Sequence, residues 1–381
     1  MLIGIITFQW SYNCGSILQC VALKRTLEKK GCEVQVINYS SPEQQRLYSV
    51  FSKCSSFKNI AKNLLCLRGQ KMISDHYEQY KKYIQQEFNC TQKPFSSSTE
   101  LKEHLPAFDA FVAGGDQIWN VNCDDFTTAY MLDFNDGIYS FSYAPSLGAT
   151  DITLATEASR YAELLKRFDD ISCREPNGVR WLEKLLDQHI ELVLDPTLLT
   201  SPHDWADDHD PSEQELEDNF IFYYAFTYSP RNNLAVQKLA EELNLRVIVI
   251  DAKQWYIRRL WRHNNFVLSR QTGPDAFLKY VRNADFVVTT SFHGTAFSVV
   301  FGKQFAYINT STHNPSDDRT SSLIKKLGLE DRLITADQLS ADMLKKGIDY
   351  ARVANSLSEM QSSSMAYIER NLEHIRNGLT E

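Results

Sequence analysis

The stretch LIGIITFQWSYNCGSILQCVALKRTLEKKGCEVQVIN, Leu2–Asn38, opens on a short apolar run from Leu2 to Ile6, turns through polar residues, and then carries apolar side chains at helical spacing from Ser16 to Lys30. A second strand-like segment, Glu33–Asn38, follows. Strand, helix and strand in such quick succession make a βαβ unit, which predicts a parallel sheet. The connection Tyr12-Asn13-Cys14-Gly15-Ser16 falls at the carboxyl end of the first strand and the amino end of the helix, where open α/β sheets gather ligands.

The alternation continues outward. Buried strands are expected at Asp109–Ala113, Tyr139–Tyr143, Asp170–Cys173 and Leu192–Leu194. Past the polar, acidic stretch Ser201–Asn219, which reads as a linker or surface excursion, a new series begins. It has strands at Phe220–Phe226, Arg246–Ile250, Phe286–Thr290 and Phe305–Ile308, with helices at Arg231–Leu243, Pro274–Asn283 and Gly294–Phe301. The pattern predicts two α/β domains facing a cleft. The first covers residues 1–200, with a helical insertion at about 42–90 packed on that domain, and the second covers 201–350; a last helix within 351–381 folds back on the first.

Bulk properties set limits. Hydrophobic residues make up 43% of the 381 and charged ones 23%, enough apolar material for a large core. The formal net charge of -8 argues against nucleic acid as a partner, since proteins that live on phosphate backbones carry a basic footprint. One segment runs the other way: from Arg46 to Lys82 only Asp75 and Glu78 offset eight Lys or Arg, with aromatic residues interleaved. Either a solvated helical face or a peripheral contact with an anionic membrane surface accounts for it. The eight cysteines contain no CxxC pair and no nearby His at zinc spacing, so reduced buried thiols in a cytoplasmic protein are expected and a metal site is not. The first residues lack the features of a secretory signal, and no run of ~18 apolar residues occurs to cross a membrane.

Three blocks carry more than fold: Asn13-Cys14-Gly15-Ser16-Ile17-Leu18-Gln19, Gly114-Gly115-Asp116-Gln117-Ile118-Trp119-Asn120, and Thr290-Ser291-Phe292-His293-Gly294-Thr295-Ala296-Phe297-Ser298. With the supporting pieces Ile171–Glu175, Leu194–Leu199 and Asp318–Leu323, in this order, the chain resembles the polysaccharide pyruvyl transferase family from about residue 3 to 330. The resemblance implies two Rossmann-like domains in a glycosyltransferase-B-like arrangement. It also implies phosphoenolpyruvate as co-substrate, no further cofactor, and a sugar or lipid-linked oligosaccharide whose diol is closed into a pyruvate ketal without a metal. The same cleft would also suit a nucleotide-sugar glycosyltransferase, or a scaffold that binds without turnover.

Ketal transfer needs an acid for the methylene carbon, donors for phosphate and carboxylate, and a base for the sugar hydroxyls. His293, between a strand and a helix, is the candidate acid or donor ligand, and Asp116, after two glycines, the candidate base. Arg174 and Arg319 are candidate donor-site cations, although Arg174 has a neighbouring carboxylate in Glu175. Ser291 and the amides of Gly294 and Thr295 would complete the donor-side anion site. Members of the family tend to carry Arg two positions before the His, where this chain has Ser291. Asn13, Gly15, Ser16, Gln117 and Trp119 are the acceptor-side candidates; Ser16 also suits a helix N-cap and Trp119 a core position.

Overall fold

The structure, a computed structural model, describes residues 1–49, 51, 56–205, 219–309 and 317–379, without the side chain of Lys58. Most of the acidic stretch 201–219 and the loop segment 313–316 lie outside the described residues.

Twelve short strands are present among them. The first sheet contains β1 (Leu2–Ile6), β2 (Glu33–Val36), β3 (Ala110–Gly114) and β4 (Ser140–Tyr143) in the order β2-β1-β3-β4, all parallel. A parallel pair, β5 (Ser172–Cys173) with β6 (Glu191–Leu192), extends it beyond β4 through a bridge between Phe141 and Asp170. The second sheet comprises β7 (Phe220–Tyr224), β8 (Arg246–Val249), β9 (Phe266–Leu268), β10 (Phe286–Thr289), β11 (Phe305–Ile308) and β12 (Leu333–Ile334). Its order, β12-β11-β10-β7-β8-β9, is that of a doubly wound sheet whose strand order reverses between β7 and β10. The strands are apolar because both faces are covered by helices. Ile3, Ile5, Val112, Phe222, Val247 and Val287 are all fully buried.

β9 and β12 escape the sequence reading because three and two residues leave no period to detect. The first helix runs Cys14–Lys29 rather than from Ser16, and Asn13, not Ser16, caps it: the Asn13 side chain accepts from the Gly15 amide at 2.9 Å.

The helical insertion departs from expectation more sharply. Its helices Phe57–Leu67 and Gln70–Glu87 do not pack on the first domain alone; they reach across to the second. Cys66 and Ile73 form a small apolar cluster with Ala252, Tyr256 and Ile257, and Gln79 bonds the Thr272 amide and the Arg270 carbonyl. Gly69 lies so close to the Tyr256 ring that a β-carbon there would stand 1.8 Å from it. The amphipathic period identifies a buried face, but it does not say which domain supplies the cover.

The two sheets share a core. Ile17, Leu18 and Val21 of the first helix belong to the same buried cluster as Phe277, Val281 and Phe297 of the second domain. The final helix, Tyr350–Gly378, lies against the first sheet, with Tyr367, Ile368, Leu372 and Ile375 buried. Tyr367 donates to the Ser142 carbonyl at 2.9 Å, and Asn371 joins Tyr139 to Asp170. Leu372→Ala is therefore expected to destabilise the protein by about 2–5 kcal/mol in urea unfolding, and Leu379→Ala, at an exposed position, by less than about 0.5 kcal/mol.

Candidate functional site

The carboxyl ends of both sheets converge. After β1 comes Asn13, after β3 Gly115 and Asp116, after β5 Arg174 and Glu175, and after β6 Asp195; the second sheet contributes Ser291, Phe292 and His293 after β10. Gly115 and Asp116 both take left-handed backbone (φ 61° and 54°). Gly115 is required there, since a β-carbon would meet Gln19 Oε1 at 1.6 Å, whereas for Asp116 the conformation is a local strain held by the Ser146 amide on its carbonyl at 2.7 Å.

Asp195 is the hub. Its carboxylate is fully buried. Oδ1 accepts from the Thr197 amide at 3.0 Å and hydroxyl at 2.7 Å, and Oδ2 accepts from Arg174 Nη1 and faces His293 Nε2 at 3.5 Å. Burial alone would raise its pKa, but His293, the Arg174 charge and the Thr197 hydroxyl together hold it well below the usual carboxylate range. Arg174 also approaches Asp116 Oδ1 at 3.7 Å, and Asp116 accepts from the Ser16 hydroxyl. A chain of polar groups therefore runs Ser16, Asp116, Arg174, Asp195, His293, across the domain boundary. The guanidinium lies 4.7 Å from the centroid of the Phe292 ring, and its Nε and Nη2 are buried without a hydrogen-bond partner. Nη2 faces only the Asp116 carboxylate, beyond hydrogen-bond distance, and Nε faces no acceptor.

Glu175, the neighbour expected to compete for Arg174, turns away. It accepts from the Leu147 amide at 2.7 Å and the Ser146 hydroxyl at 3.1 Å. Complete burial pushes its carboxyl up to about 7 against the pull of Arg174 and Arg319. Arg319 forms a two-pronged pair with Asp317 at 2.8 and 2.6 Å.

Two cavities border parts of the polar chain, one at Arg174 and Asp195 and the other at Ser16 and Asp116, and His293 lines neither. The smaller, about 270 Å³, is lined by Arg174, Asp195, Phe292, Arg319, Lys326 and Ser364, among others. The larger, about 690 Å³, opens between the domains and carries Asn13, Ser16, Asp116, Gln117, Ser291 and the stacked pair Tyr12 and Tyr77, whose ring centroids are 4.5 Å apart.

The remaining candidates fall unevenly. Gly15 makes room for the ring of His293: a β-carbon there would stand 2.0 Å from Nδ1. Trp119 is no acceptor platform. It is wholly buried, donates to the Tyr130 carbonyl at 2.9 Å and packs edge-on against Phe168. Nor are the Gly294 and Thr295 amides free for an anion: the first faces the Ser291 hydroxyl at 3.4 Å and the second bonds the Ser291 carbonyl at 3.1 Å. Ser291 is thus the helix cap. The sequence reading of site residues omitted Asp195 and Glu175, although both stand inside quoted blocks; an acid just before Pro at a strand end was the available signal for each.

Solved structures with the same architecture are two-domain enzymes of the glycosyltransferase-B type. The Staphylococcus aureus MnaA structure with UDP superimposes with a TM-score of 0.53 at 14% identity, covering 100% of this chain and 96% of that one. The Methanocaldococcus jannaschii UDP-GlcNAc 2-epimerase, solved with UDP-GlcNAc and UDP, gives 0.51 at 10% identity over 98% and 100%. Anabaena Alr3699/HepE, with UDP and glucose, gives 0.50 at 11% over 100% and 99%. At these identities the likeness is one of fold. A comparison with curated protein sequences finds no match. The family model for polysaccharide pyruvyl transferases matches residues 13–312, most of the chain, and the protein belongs to that family, a family of transferases.

Two outcomes follow from the site. Gly15→Ala should displace the His293 ring and cut turnover by at least about tenfold, while circular dichroism stays native, because the clash falls on a side chain rather than on backbone. Glu175 sets a pH dependence. With its folded value raised to about 7, its contribution to stability is full below the ordinary carboxylate range and is lost as the pH rises through 7. Glu175→Gln should therefore gain thermal stability relative to the parent at pH 8 but not at pH 5, and an equal difference at both would contradict the assignment.

Proposed function

We propose that this transferase moves the enolpyruvyl unit of phosphoenolpyruvate onto two hydroxyls of a sugar, free or lipid-linked, closing them into a pyruvate ketal. The observation that carries the reading is the buried chain Asp116, Arg174, Asp195, His293, built from both domains and bordered in part by two cavities, in a chain of this family. Arg174, Arg319 and Lys326 give the smaller cavity the cationic lining a small phosphorylated acid requires, and the Arg174 Nε has no hydrogen-bond partner within the protein. The larger, tyrosine-lined cavity suits a sugar, whose ring faces stack on aromatic side chains.

In this reading His293, with the Asp195 carboxylate as counter-ion, delivers its proton to the methylene carbon, leaving positive charge on the carbon that bears carboxylate and phosphate. One sugar hydroxyl adds there, losing its proton to Asp116; the second displaces phosphate, which leaves as the inorganic ion. Two hydroxyl protons are released; one balances the proton placed on the new methyl group and the other leaves with phosphate. Asp195 is a positioning residue, because its contacts run to His293 and Arg174. The neighbouring folds were solved with UDP or UDP-sugars, which keeps a nucleotide-sugar transferase as the reading to test against.

Phosphoenolpyruvate should raise the melting temperature of the full chain by mass action. His293→Gln should retain that shift but lose about 10²–10⁴-fold in phosphate release with acceptor present. Arg319→Ala should weaken the shift. Stabilisation by UDP-sugars with no response to phosphoenolpyruvate would replace this reading with a glycosyltransferase.

A further inference from the structure

Two segments far apart in sequence are packed side by side and share an unusual character. No Asp or Glu occurs from Gln44 to Ser74, nor from Ala252 to Gln271, in a chain of net charge -8. The first contains the helix Phe57–Leu67, whose inner face meets the short helix Ala252–Ile257 through Cys66, Tyr256 and Ile257. Its outer face presents Phe57 (91% exposed), Ile60, Leu64 (61%) and Leu67, spaced three, four and three residues apart and so forming one stripe. The second segment adds Trp261, exposed and in ring contact with Tyr256 at 5.9 Å. The two segments also carry Lys62, Arg68, Lys71, Arg258, Arg259 and Arg262, and among the described residues none of the six has a carboxylate partner.

We propose that this surface docks the protein on an anionic lipid bilayer, with the helix Phe57–Leu67 lying in the headgroup plane, its apolar stripe toward the acyl chains and the cations of the two segments on the lipid phosphates. Charge selects this occupant. A second copy of the chain would meet the patch with the same patch across a two-fold axis, bringing like charges together with no acid to offset them. Exposed aliphatic residues gain nothing from a nucleic acid backbone, whereas a bilayer supplies both an apolar layer and negative charge. Arg258 belongs to this surface and also to the lining of the larger cavity, so the docked face lies beside the mouth of the interdomain cleft. The docking stands independently of the transferase reading.

The test is flotation of the full chain with vesicles, either of phosphatidylcholine alone or with about one third phosphatidylglycerol. The protein should float only with the anionic vesicles and be released by salt. Arg259→Ala and Arg262→Ala should each weaken binding roughly fivefold, at about 1 kcal/mol per cation, and Leu64→Ser should abolish flotation with an unchanged melting temperature. Failure to float with anionic vesicles at low salt would overturn the proposal. So would equal flotation of Leu64→Ser, capture by an acidic protein in preference to vesicles, or a dimer of the parent that Leu64→Ser dissolves. None of these outcomes bears on phosphoenolpyruvate binding.

Discussion

The contact on which the rest of the site depends is the buried carboxylate of Asp195, which receives Arg174 from its own domain and faces His293 from the other. An ionised carboxylate without water is tolerable only when its lone pairs are filled and opposite charge is near. Here Thr197 fills one oxygen, and Arg174 and the imidazole compete for the second. Removing Arg174 would leave buried charge uncompensated, the situation that typically costs about 3–5 kcal/mol. The ion pair therefore does more to specify where His293 stands than to add net stability.

Two buried carboxyls, Glu175 and Asp195, lie close to the same arginine and are driven in opposite directions. Asp195 has charge and hydrogen bonds directed at both oxygens and stays ionised; Glu175 leaves Oε2 without a partner and titrates near neutrality. Environments that separate two carboxyls in this way are how one site holds a permanent anion beside a group able to carry a proton. Glu175 also touches the loop of Ser146 and Leu147, and the Ser146 amide of that loop donates to the Asp116 carbonyl.

Much of this was legible in the sequence, for reasons that can be named. Strands such as β3, β7 and β11 are apolar over four or five residues and end in turn residues, so they declare themselves; β12, two residues long, cannot. His293 and Asp116 could be located because strand ends and paired glycines mark where a βα connection turns. Asp195 does not stand out in sequence, because its partners stand far from it, and only folding brings Arg174 and His293 together. Trp119 shows the converse: a polar neighbourhood in sequence, and a wholly buried indole in space. Gly15, an acceptor-side candidate in sequence, is in space the absent side chain that admits an imidazole from the other domain.

That close approach bears on how ligands enter. With the His293 ring against Gly15 and one apolar cluster running from Ile17 and Leu18 into Phe277 and Phe297, separating the domains would expose core and break the Asp195 contact at once. Wide hinge opening is the default for domains joined by small polar interfaces, whereas here a buried apolar cluster is shared by both domains. The insertion helices strengthen the closure, since Gly69 against Tyr256 and Gln79 against Thr272 fasten the first half of the chain to the second from outside. The two cavities reach Asp116, Arg174 and Asp195 without any parting of the domains, and polar groups fixed in advance in this way lose little to reorganisation when charge arrives beside them.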